Sequence, residues 1–397
     1  MCLHIVGKRR VFIVKILLIF GGDSAESEIS ILTAKQIFEM GKGKWDIVPI
    51  LIKKGRMFWC RSFRIVECAK DELDPKLFCE IVIAGKTVFL KRKKLKRLFE
   101  VDAAVVAAHG GSGENGELCA FLKMNQIPCS VGDSTALAIA MDKVFAKAVF
   151  RDFDVPVVDG FWFLKSEWEK DRKNILAKVE QWGYPLCVKP ARQGSSVGIS
   201  FAKNKTEFEK ALSLAFEFDD KVLIERGLVG FRELNVSVVS VDGQIEVSEI
   251  EEPVRASDIL SFADKYLGGQ KCAKTSVENA KIGDISQKIG CKNGNVENGM
   301  AGSKRKFPAE IEPNVRDEIR AIAKDVARKL GFFGVARFDF LLLDGKVFLN
   351  EINSVPGSLA FYFWAKNGAL EGYFDRLVDL CLKQKNDQKS CVVKILK

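Results

Sequence analysis

The chain has 397 residues and a formal net charge of +10, with 47% hydrophobic and 29% charged residues. This length allows two or three domains with a large core, and the composition is that of a globular protein. Eleven cysteines without a Cys-x-x-Cys pair predict free thiols in a reducing compartment, and two histidines argue against a histidine-rich zinc site. The positive charge suits an anionic ligand such as a nucleotide triphosphate, although nucleic acid or an anionic membrane surface would also suit it.

The first third of the chain alternates apolar runs with helical patterns. The expected elements are strands at residues 16–20, 47–52, 101–108 and 127–131 and helices at residues 27–40 and 117–124. This alternation predicts an α/β fold that begins with a doubly wound parallel sheet. The apolar run 11–20 contains Lys15 and is too short to cross a bilayer, so we interpret it as a buried strand preceded by a few extra residues.

The rest of the chain predicts two further subdomains, which divides the sequence into segments 1–133, 134–232 and 233–397. Asp133 precedes Ser and Thr and can cap the next helix. The expected elements are strands at residues 161–163, 186–189, 198–199, 222–225 and 235–241 and helices at residues 166–182, 206–216 and 313–330. Residues 268–306 are rich in Gly, Asn, Lys and Ser, which predicts a mobile loop or insert.

A predicted β-hairpin near residue 345 places polar residues on one face. Arg337 and Asp339 are two residues apart on its first strand, and Glu351 and Asn353 are two apart on its second. A three-residue loop, 343–345, would set Arg337 opposite Glu351, whereas a two-residue turn would put Glu351 on the other face. We predict the three-residue loop and a magnesium site, because carboxylate and amide oxygens are hard ligands. The alternative is an exposed salt bridge on a solvated sheet face.

Other segments have the composition of ligand-binding loops. Residues 188–198 join Lys189 to a loop rich in Gly and Ser, which predicts a phosphate site, with a plain hairpin as the alternative. Residues 222–233 suit an adenosine, although this signal alone is weak. Glycine loops 21–28 and 109–116 follow buried strands, where α/β sheets bind ligands, and simple turns are the alternative. The basic run 91–97 lacks aromatic residues and predicts a solvated face.

Taken together and in their order along the chain, these motifs resemble those of the D-alanine–D-alanine ligase family, which belongs to the ATP-grasp superfamily. The resemblance covers residues 16–380. The segments that carry the resemblance are the glycine loops containing Glu26 and His109, the Met-Asp-Lys sequence ending at Lys143, the loop after Lys189, the pair Lys265-Tyr266 and the hairpin with the following residues to Gly357. The resemblance implies an α/β fold in which an N-terminal doubly wound parallel-sheet domain is followed by a two-subdomain ATP-grasp fold.

The resemblance also implies a role for individual residues. The ATP-binding residues would be Lys143, Lys189, Ser196 and Lys265 at the phosphates, Glu225, Arg226 and Leu228 at adenine, and Glu233 at ribose. The ligands of two Mg²⁺ ions, with Mn²⁺ as an alternative metal, would be Asp339, Glu351 and Asn353. The residues at the amino acids would be Glu26 bonded to Ser195 and Tyr266, His109 near the first substrate, Arg337 and the Gly357 N–H at the reaction oxyanion, and Ser358 and Tyr362 at the second substrate.

The implied reaction joins two D-alanine molecules through an acylphosphate, at the expense of ATP, to supply peptidoglycan synthesis. The implied protein is cytoplasmic and homodimeric and binds neither nucleic acid nor membrane. The chain departs from the family where Tyr362 replaces the usual serine, where Asn115 replaces the usual aspartate, and in the lid segment 260–266. A related carboxylate–amine ligase with a different acceptor is therefore the alternative, and a nucleic-acid-binding module using residues 91–97 is a third hypothesis.

Overall fold

The computed structural model describes residues 3–6, 9–12, 14–241, 244–254, 305–364 and 372–387. The strands are β1 Leu3–Val6, β2 Arg9–Phe12, β3 Lys15–Gly21, β4 Asp46–Lys53, β5 Arg56–Cys60, β6 Phe78–Ala84, β7 Thr87–Leu90, β8 Lys96–Glu100, β9 Ala103–Val106, β10 Val131–Gly132, β11 Gly160–Leu164, β12 Leu186–Pro190, β13 Ser200–Ala202, β14 Lys221–Arg226, β15 Arg232–Val241, β16 Gln244–Pro253, β17 Arg305–Lys306, β18 Phe333–Leu343 and β19 Lys346–Asn353. The α-helices are α1 Ser27–Gly41, α2 Ile65–Ala69, α3 Glu117–Met124, α4 Ser134–Met141, α5 Lys143–Asp152, α6 Lys165–Trp182, α7 Lys205–Phe218, α8 Pro313–Lys329 and α9 Tyr373–Asp387, and the 3₁₀ turns are Gly111–Gly113 and Gly357–Phe363.

The N-terminal region forms a mixed seven-stranded sheet with the order β8-β7-β6-β5-β4-β3-β9. β3 is parallel to β4 and β9, and residues 16–20 of β3 are completely buried. These findings confirm the α/β class and the buried strand. The parallel part contains three strands, however, because β5 to β8 extend the sheet in antiparallel order. Sequence reasoning missed this extension because its short strands carry mixed, half-exposed residues.

The middle region is a four-stranded antiparallel sheet with the order β11-β14-β12-β13. Helices α6 and α7 pack against it, and their shared core includes Phe161, Val179, Leu186 and Phe208. The expected strands and helices of this region are present within two residues of their predicted ends, except the strand expected at 198–199. That strand occurs instead at Ser200–Ala202, because the loop before it extends through Gly198.

The C-terminal region contains a sheet with the order β10-β18-β15-β16-β17, in which β19 also pairs with β18. The prediction of a strand at residues 127–131 is wrong, because the strand observed here is β10 at Val131–Gly132. Cys129 makes only an isolated bridge with Ala104, whereas Val131 and Gly132 pair with β18. Helix α9 packs against β9, so the N-terminal and C-terminal sheets share one continuous core.

The helix cap, the basic run and the described cysteines have the structures that the sequence predicts. Asp133 caps α4 by accepting a 2.8 Å hydrogen bond from the Thr135 N–H. The basic run 91–97 is exposed throughout. The cysteines whose side chains are described are free thiols. None of the described helices is long and apolar enough to span a bilayer. Nearly all of the insert 268–306 lies outside the described residues, and the proposed segment boundaries remain a prediction.

Candidate active site

The hairpin β18–β19 differs from the predicted one but retains the polar face. Leu343 pairs with Lys346, so the turn is the two-residue Asp344-Gly345, and both residues have positive φ, as in a type I′ turn. The predicted three-residue loop is therefore wrong. A β-bulge at Asn350 shifts the register by one residue and returns the second strand's polar residues to the polar face.

The bulge makes Asp339 the cross-strand partner of Glu351, and Arg337 the partner of Asn353. The Arg337 guanidinium donates two 2.7 Å hydrogen bonds to the Asp339 carboxylate, and Asn353 Nδ2 donates one of 3.0 Å. Lys143 Nζ lies 3.3 Å from Glu351 Oε2. Both carboxylates are thus held at one face by cationic groups, and their hard oxygen atoms suit Mg²⁺.

The described residues contain no group of three or more His, Cys, Asp and Glu side chains placed as a complete metal site. The predicted set has two carboxylates, Asp339 and Glu351, and one amide, Asn353. Such a set suits Mg²⁺, which usually keeps several waters and shares substrate phosphates rather than filling a protein cage. The donor chemistry of these three residues therefore fits the Mg²⁺ that the family resemblance implies.

Buried lysines lie next to this face. Lys143 Nζ donates a 2.6 Å hydrogen bond to the Gln193 carbonyl in the loop after β12. Lys189 Nζ lies 3.2 Å from Asn350 Oδ1, the bulged residue, and 2.5 Å from Glu225 Oε2. The bulge therefore both returns Glu351 and Asn353 to the polar face and places the Asn350 side chain against Lys189.

Glu225 is bound by a second lysine that sequence reasoning missed. Lys147 Nζ lies 2.7 Å from Glu225 Oε1, and the side chains of both residues are 2% exposed. Burial alone would raise the pKa of Glu225, but the Lys147 and Lys189 ammonium groups outweigh it and lower the pKa to about 2. The signal for Lys147 was its position one helical turn after Lys143, on the same face of α5.

The remaining predicted nucleotide residues flank this cluster. Arg226 ends β14, where its guanidinium contacts the Trp182 ring at 4.9 Å and bonds the Trp182 carbonyl at 2.9 Å. Leu228 lies in the segment between β14 and β15, and Glu233 lies on β15 opposite Leu341. Ser196 lies in the loop after β12 with a positive φ of 62°. Lys265 and Tyr266, with the whole lid segment 260–266, lie outside the described residues.

Glu26 is buried at the centre of a second cluster, on the N-terminal domain. It accepts a hydrogen bond from the Ser195 hydroxyl, as expected. Gly110 and Gly194 approach its carboxylate so closely that a Cβ atom at either position would lie 2.8 or 2.6 Å from Oε2. Glycines are thus required here to let two loops close around one carboxylate.

Glu114 is a buried acid whose role the sequence did not indicate. Its carboxylate accepts hydrogen bonds from the N–H groups of Gly110 at 3.1 Å and Val355 at 2.9 Å. Burial, together with the nearby charge of Glu26, raises the pKa of Glu114 to about 8. The clue was its place in the His109 loop, eight residues after the end of the buried strand β9, but nothing local predicted a bond to residue 355.

His109 and Thr33 join this cluster to the segment after β19. His109 Nδ1 lies 2.7 Å from the Val355 carbonyl, and Nε2 lies 2.8 Å from Thr33 Oγ1. The Ser358 N–H donates a 3.1 Å hydrogen bond to the same Thr33 oxygen. Thr33 lies in the interior of α1, where the sequence pattern indicates only a buried helix face.

The predicted acceptor residues Gly357, Ser358 and Tyr362 lie in the 3₁₀ turn after β19. Gly357 and Ser358 are buried. Burial raises the pKa of Tyr362, whose hydroxyl lies beside Arg337, and the Arg305 guanidinium stacks 4.0 Å from its ring. Tyr362 thus lies between two arginines.

An α/β domain followed by two antiparallel sheets, with buried lysines facing paired carboxylates between them, defines an ATP-grasp enzyme. Models of the D-ala D-ala ligase N-terminus and C-terminus match residues 15–132 and residues 149–293 and 289–380. The D-alanine–D-alanine ligase of Thermosipho africanus is 31% identical over 386 residues, which cover 95% of this chain and 96% of that protein. The chain belongs to the D-alanine–D-alanine ligase family.

Solved structures show the same fold. The D-alanine–D-alanine ligase of Coxiella burnetii has a TM-score of 0.70 at 23% identity, with 96% of this chain and 98% of that one covered. The VanG D-Ala:D-Ser ligase of Enterococcus faecalis has a TM-score of 0.68 at 25% identity, with coverage of 95% and 98%. The alternative of a ligase with a different acceptor is not favoured, because most of these relatives and solved structures are D-alanine–D-alanine ligases.

Proposed function

We propose that this protein is an ATP-dependent ligase that joins two D-alanine molecules. The observation that carries the proposal is the position of the loop after β12. The Gln193 carbonyl of this loop binds Lys143 on the nucleotide side, and Ser195, two residues later, binds Glu26 on the amino-acid side. One short loop therefore brings the phosphate-binding lysines beside the carboxylate that would hold an amino acid.

In the first step, the carboxylate of the first D-alanine attacks the γ-phosphate of ATP and ADP leaves. The protein mainly aligns the reactants and neutralises charge in such a transfer. Lys143 and Lys189 would leave their carboxylate partners for the phosphates, while Glu26 would orient the substrate ammonium. Mg²⁺, held by Asp339, Glu351 and Asn353, would supply charge neutralisation at the phosphate oxygens when bound.

The adenosine would lie at the end of β14. Glu225, which Lys147 would keep ionised after Lys189 moves to the phosphates, is suited to accept a hydrogen bond from the amino group of adenine. The backbone from Arg226 to Leu228 would contact the same ring, and Glu233 would bind the ribose hydroxyls. Ser196 and Lys265 complete the proposed phosphate contacts.

In the second step, the amine of the second D-alanine attacks the acylphosphate, and phosphate leaves. Arg337 and the Gly357 N–H would stabilise the oxyanion of the tetrahedral intermediate. Ser358 and Tyr362 would receive the carboxylate of the second substrate. Tyr266 would close over Glu26 and Ser195, and exclusion of water would protect the acylphosphate from hydrolysis.

The product would enter peptidoglycan synthesis, and we propose that the protein acts in the cytoplasm as a homodimer. Its partners would be small amino acids rather than nucleic acid or membrane. In the exposed basic run 91–97, Lys91 and Arg97 pair with Glu80 and Glu100.

The test is ADP release by the purified protein with Mg²⁺-ATP and D-alanine, with L-alanine and no amino acid as controls. The expected result is ADP formed with D-alanine only, together with the dipeptide. ATP binding without D-alanine-dependent ADP would overturn the proposal. ADP and a mixed product formed only when D-serine or a hydroxy acid is added would identify a different acceptor, and the Tyr362 pocket would be its site.

A further inference from the structure

The imidazole of His109 is enclosed by the protein on both of its nitrogen atoms. The residue is 3% exposed, with Nδ1 bonded to the Val355 carbonyl and Nε2 bonded to Thr33 Oγ1. Burial lowers the pKa of His109 to about 4, although the bond to Val355 opposes this change. The ring is therefore neutral near pH 7 and carries one proton.

Hydrogen-bond accounting assigns that proton. The Val355 carbonyl can only accept, so Nδ1 must be the donor and Nε2 the acceptor. The Thr33 hydroxyl then donates to Nε2, and its oxygen accepts from the Ser358 N–H at 3.1 Å. The direction of each of the three hydrogen bonds is therefore fixed, and reversing any of them would leave two donors or two acceptors face to face.

These bonds hold the backbone on both sides of Gly357. Val355 is anchored through its carbonyl to His109 and through its N–H to Glu114, and Ser358 is anchored to Thr33. The anchored backbone is unusual, because the non-glycine residues 358–360 all have positive φ, between 47° and 56°. Such a conformation persists only where surrounding contacts impose it. Here Thr33 of α1 bonds the Ser358 N–H, and the Tyr373 hydroxyl of α9 bonds the Leu359 carbonyl.

We propose that Thr33 and His109 are positioning residues that set the Gly357 N–H for the second reaction step. This inference rests on the proposed function. His109 then acts through the backbone rather than on the first amino acid, which differs from the role that its family resemblance implies. Loss of the Thr33 hydroxyl would displace Gly357 without touching the nucleotide contacts, so acylphosphate would still form but would react more slowly with the second D-alanine.

The kinetic test compares Thr33→Val, which keeps the side-chain shape but removes the hydroxyl, with Thr33→Ser, which keeps the hydroxyl. Both variants are first checked for wild-type thermal unfolding. In Thr33→Val, dipeptide formation should fall about tenfold or more, since small misplacements at a reacting centre can cost ~10²-fold. ADP release should exceed dipeptide, because waiting acylphosphate hydrolyses, and KM for ATP should be unchanged. Thr33→Ser should restore the one-to-one ratio.

A wild-type ratio of ADP to dipeptide in Thr33→Val would overturn the inference, as would a change confined to the KM of the first D-alanine. Absence of D-alanine-dependent ADP from the wild type itself would instead overturn the proposed function.

A second measurement does not depend on activity. The chain has two histidines, so ¹⁵N-histidine labelling gives two imidazoles, and a His4→Gln variant assigns them. His109 is expected to be neutral with its proton on Nδ1 between pH 6 and 8. A cationic ring, or a proton on Nε2, would overturn the inference whatever the enzyme makes.

Discussion

The two halves of the site are held together by different forces. In the nucleotide half, which comprises Lys143, Lys147, Lys189, Glu225 and Glu351, ammonium groups lie 2.5 to 3.3 Å from carboxylates. In the amino-acid half, which comprises Glu26, Thr33, His109, Glu114 and Ser195, the contacts are hydrogen bonds of hydroxyls, a neutral imidazole and backbone groups.

The difference follows from the ligands that each half is proposed to bind. Buried ammonium groups need counter-charges when phosphate is absent, and Glu225 and Glu351 provide them. Burial and the neighbouring Glu26 raise the pKa of Glu114 to about 8, so one of the two buried acids in the amino-acid half favours its protonated form near neutral pH. The lysines of the nucleotide half can thus exchange a protein carboxylate for a phosphate. The hydrogen bonds of the amino-acid half instead fix the orientation of its side chains and backbone groups. Substitutions should accordingly change charge balance in the first half and geometry in the second.

The strongest test of the nucleotide half replaces Asp339 by Asn or Glu351 by Gln. Turnover at fixed Mg²⁺ should fall by about 10²-fold or more, because metal-linked charge stabilisation is worth several kcal/mol. Glu351→Gln should unfold close to the wild-type temperature, whereas Asp339→Asn should unfold at a lower temperature, because the buried Arg337 loses its charged partner. Asp344→Asn is the matched control, since Asp344 is exposed in the turn of the same hairpin and asparagine tolerates its positive φ. Wild-type turnover in either site variant would remove the metal assignment.

The next largest effect is expected from Lys147→Met. Without Lys147, Glu225 would rely on Lys189 alone and hold it away from the phosphates. KM for ATP should therefore rise about tenfold, since a hydrogen bond to a charged group is worth ~1.5–3 kcal/mol. Arg151→Met, at an exposed position of the same helix, is the control. Equal KM values for the two variants would show that Lys147 does not belong functionally to the nucleotide half.

A smaller effect is expected from Tyr362→Phe, which removes one hydroxyl beside Arg337. KM for the second D-alanine should rise about two- to tenfold, because a neutral hydrogen bond contributes ~0.5–1.5 kcal/mol. KM for ATP measures the other half of the site and should not change. Steady-state kinetics over a range of D-alanine concentrations would separate the two substrate sites. An unchanged second KM would place the acceptor carboxylate away from Tyr362.

The smallest effect is a pH dependence that Glu114 contributes to stability. Its pKa of about 8 in the folded protein lies above the ordinary value of 4.5, so the fold favours the protonated acid. This stabilisation is complete below pH 4.5 and is lost as the pH rises towards 8. The Tm of the wild type should therefore fall more between pH 5 and pH 8.5 than the Tm of Glu114→Gln, which has no proton to lose there. Parallel Tm curves would contradict a raised pKa.

Much of the fold was predictable because long elements have strong local patterns. Helix α3 has the bounds predicted, and β3 was recognised from its continuous apolar run. The strands β5 to β8 were not predicted, because short half-exposed strands are specified mainly by their neighbours in the sheet. The placement of the predicted metal-binding residues on one face was predicted correctly, but for a wrong reason. Asp-Gly is a strong local signal for a two-residue turn, and the bulge at Asn350 that corrects the register depends on pairing with β18.

The amino-acid sequence by itself determined the family, the chemical types of the site residues and their order along the chain, because motifs such as the Glu26 loop and the hairpin are local. The tertiary structure decided which groups meet. Contacts between Thr33 and Ser358, Glu114 and Val355, or Lys147 and Glu225 join residues far apart in sequence. Their protonation states are likewise tertiary properties, because burial and neighbouring charge, rather than residue type, place the pKa of Glu114 near 8 and that of Glu225 near 2.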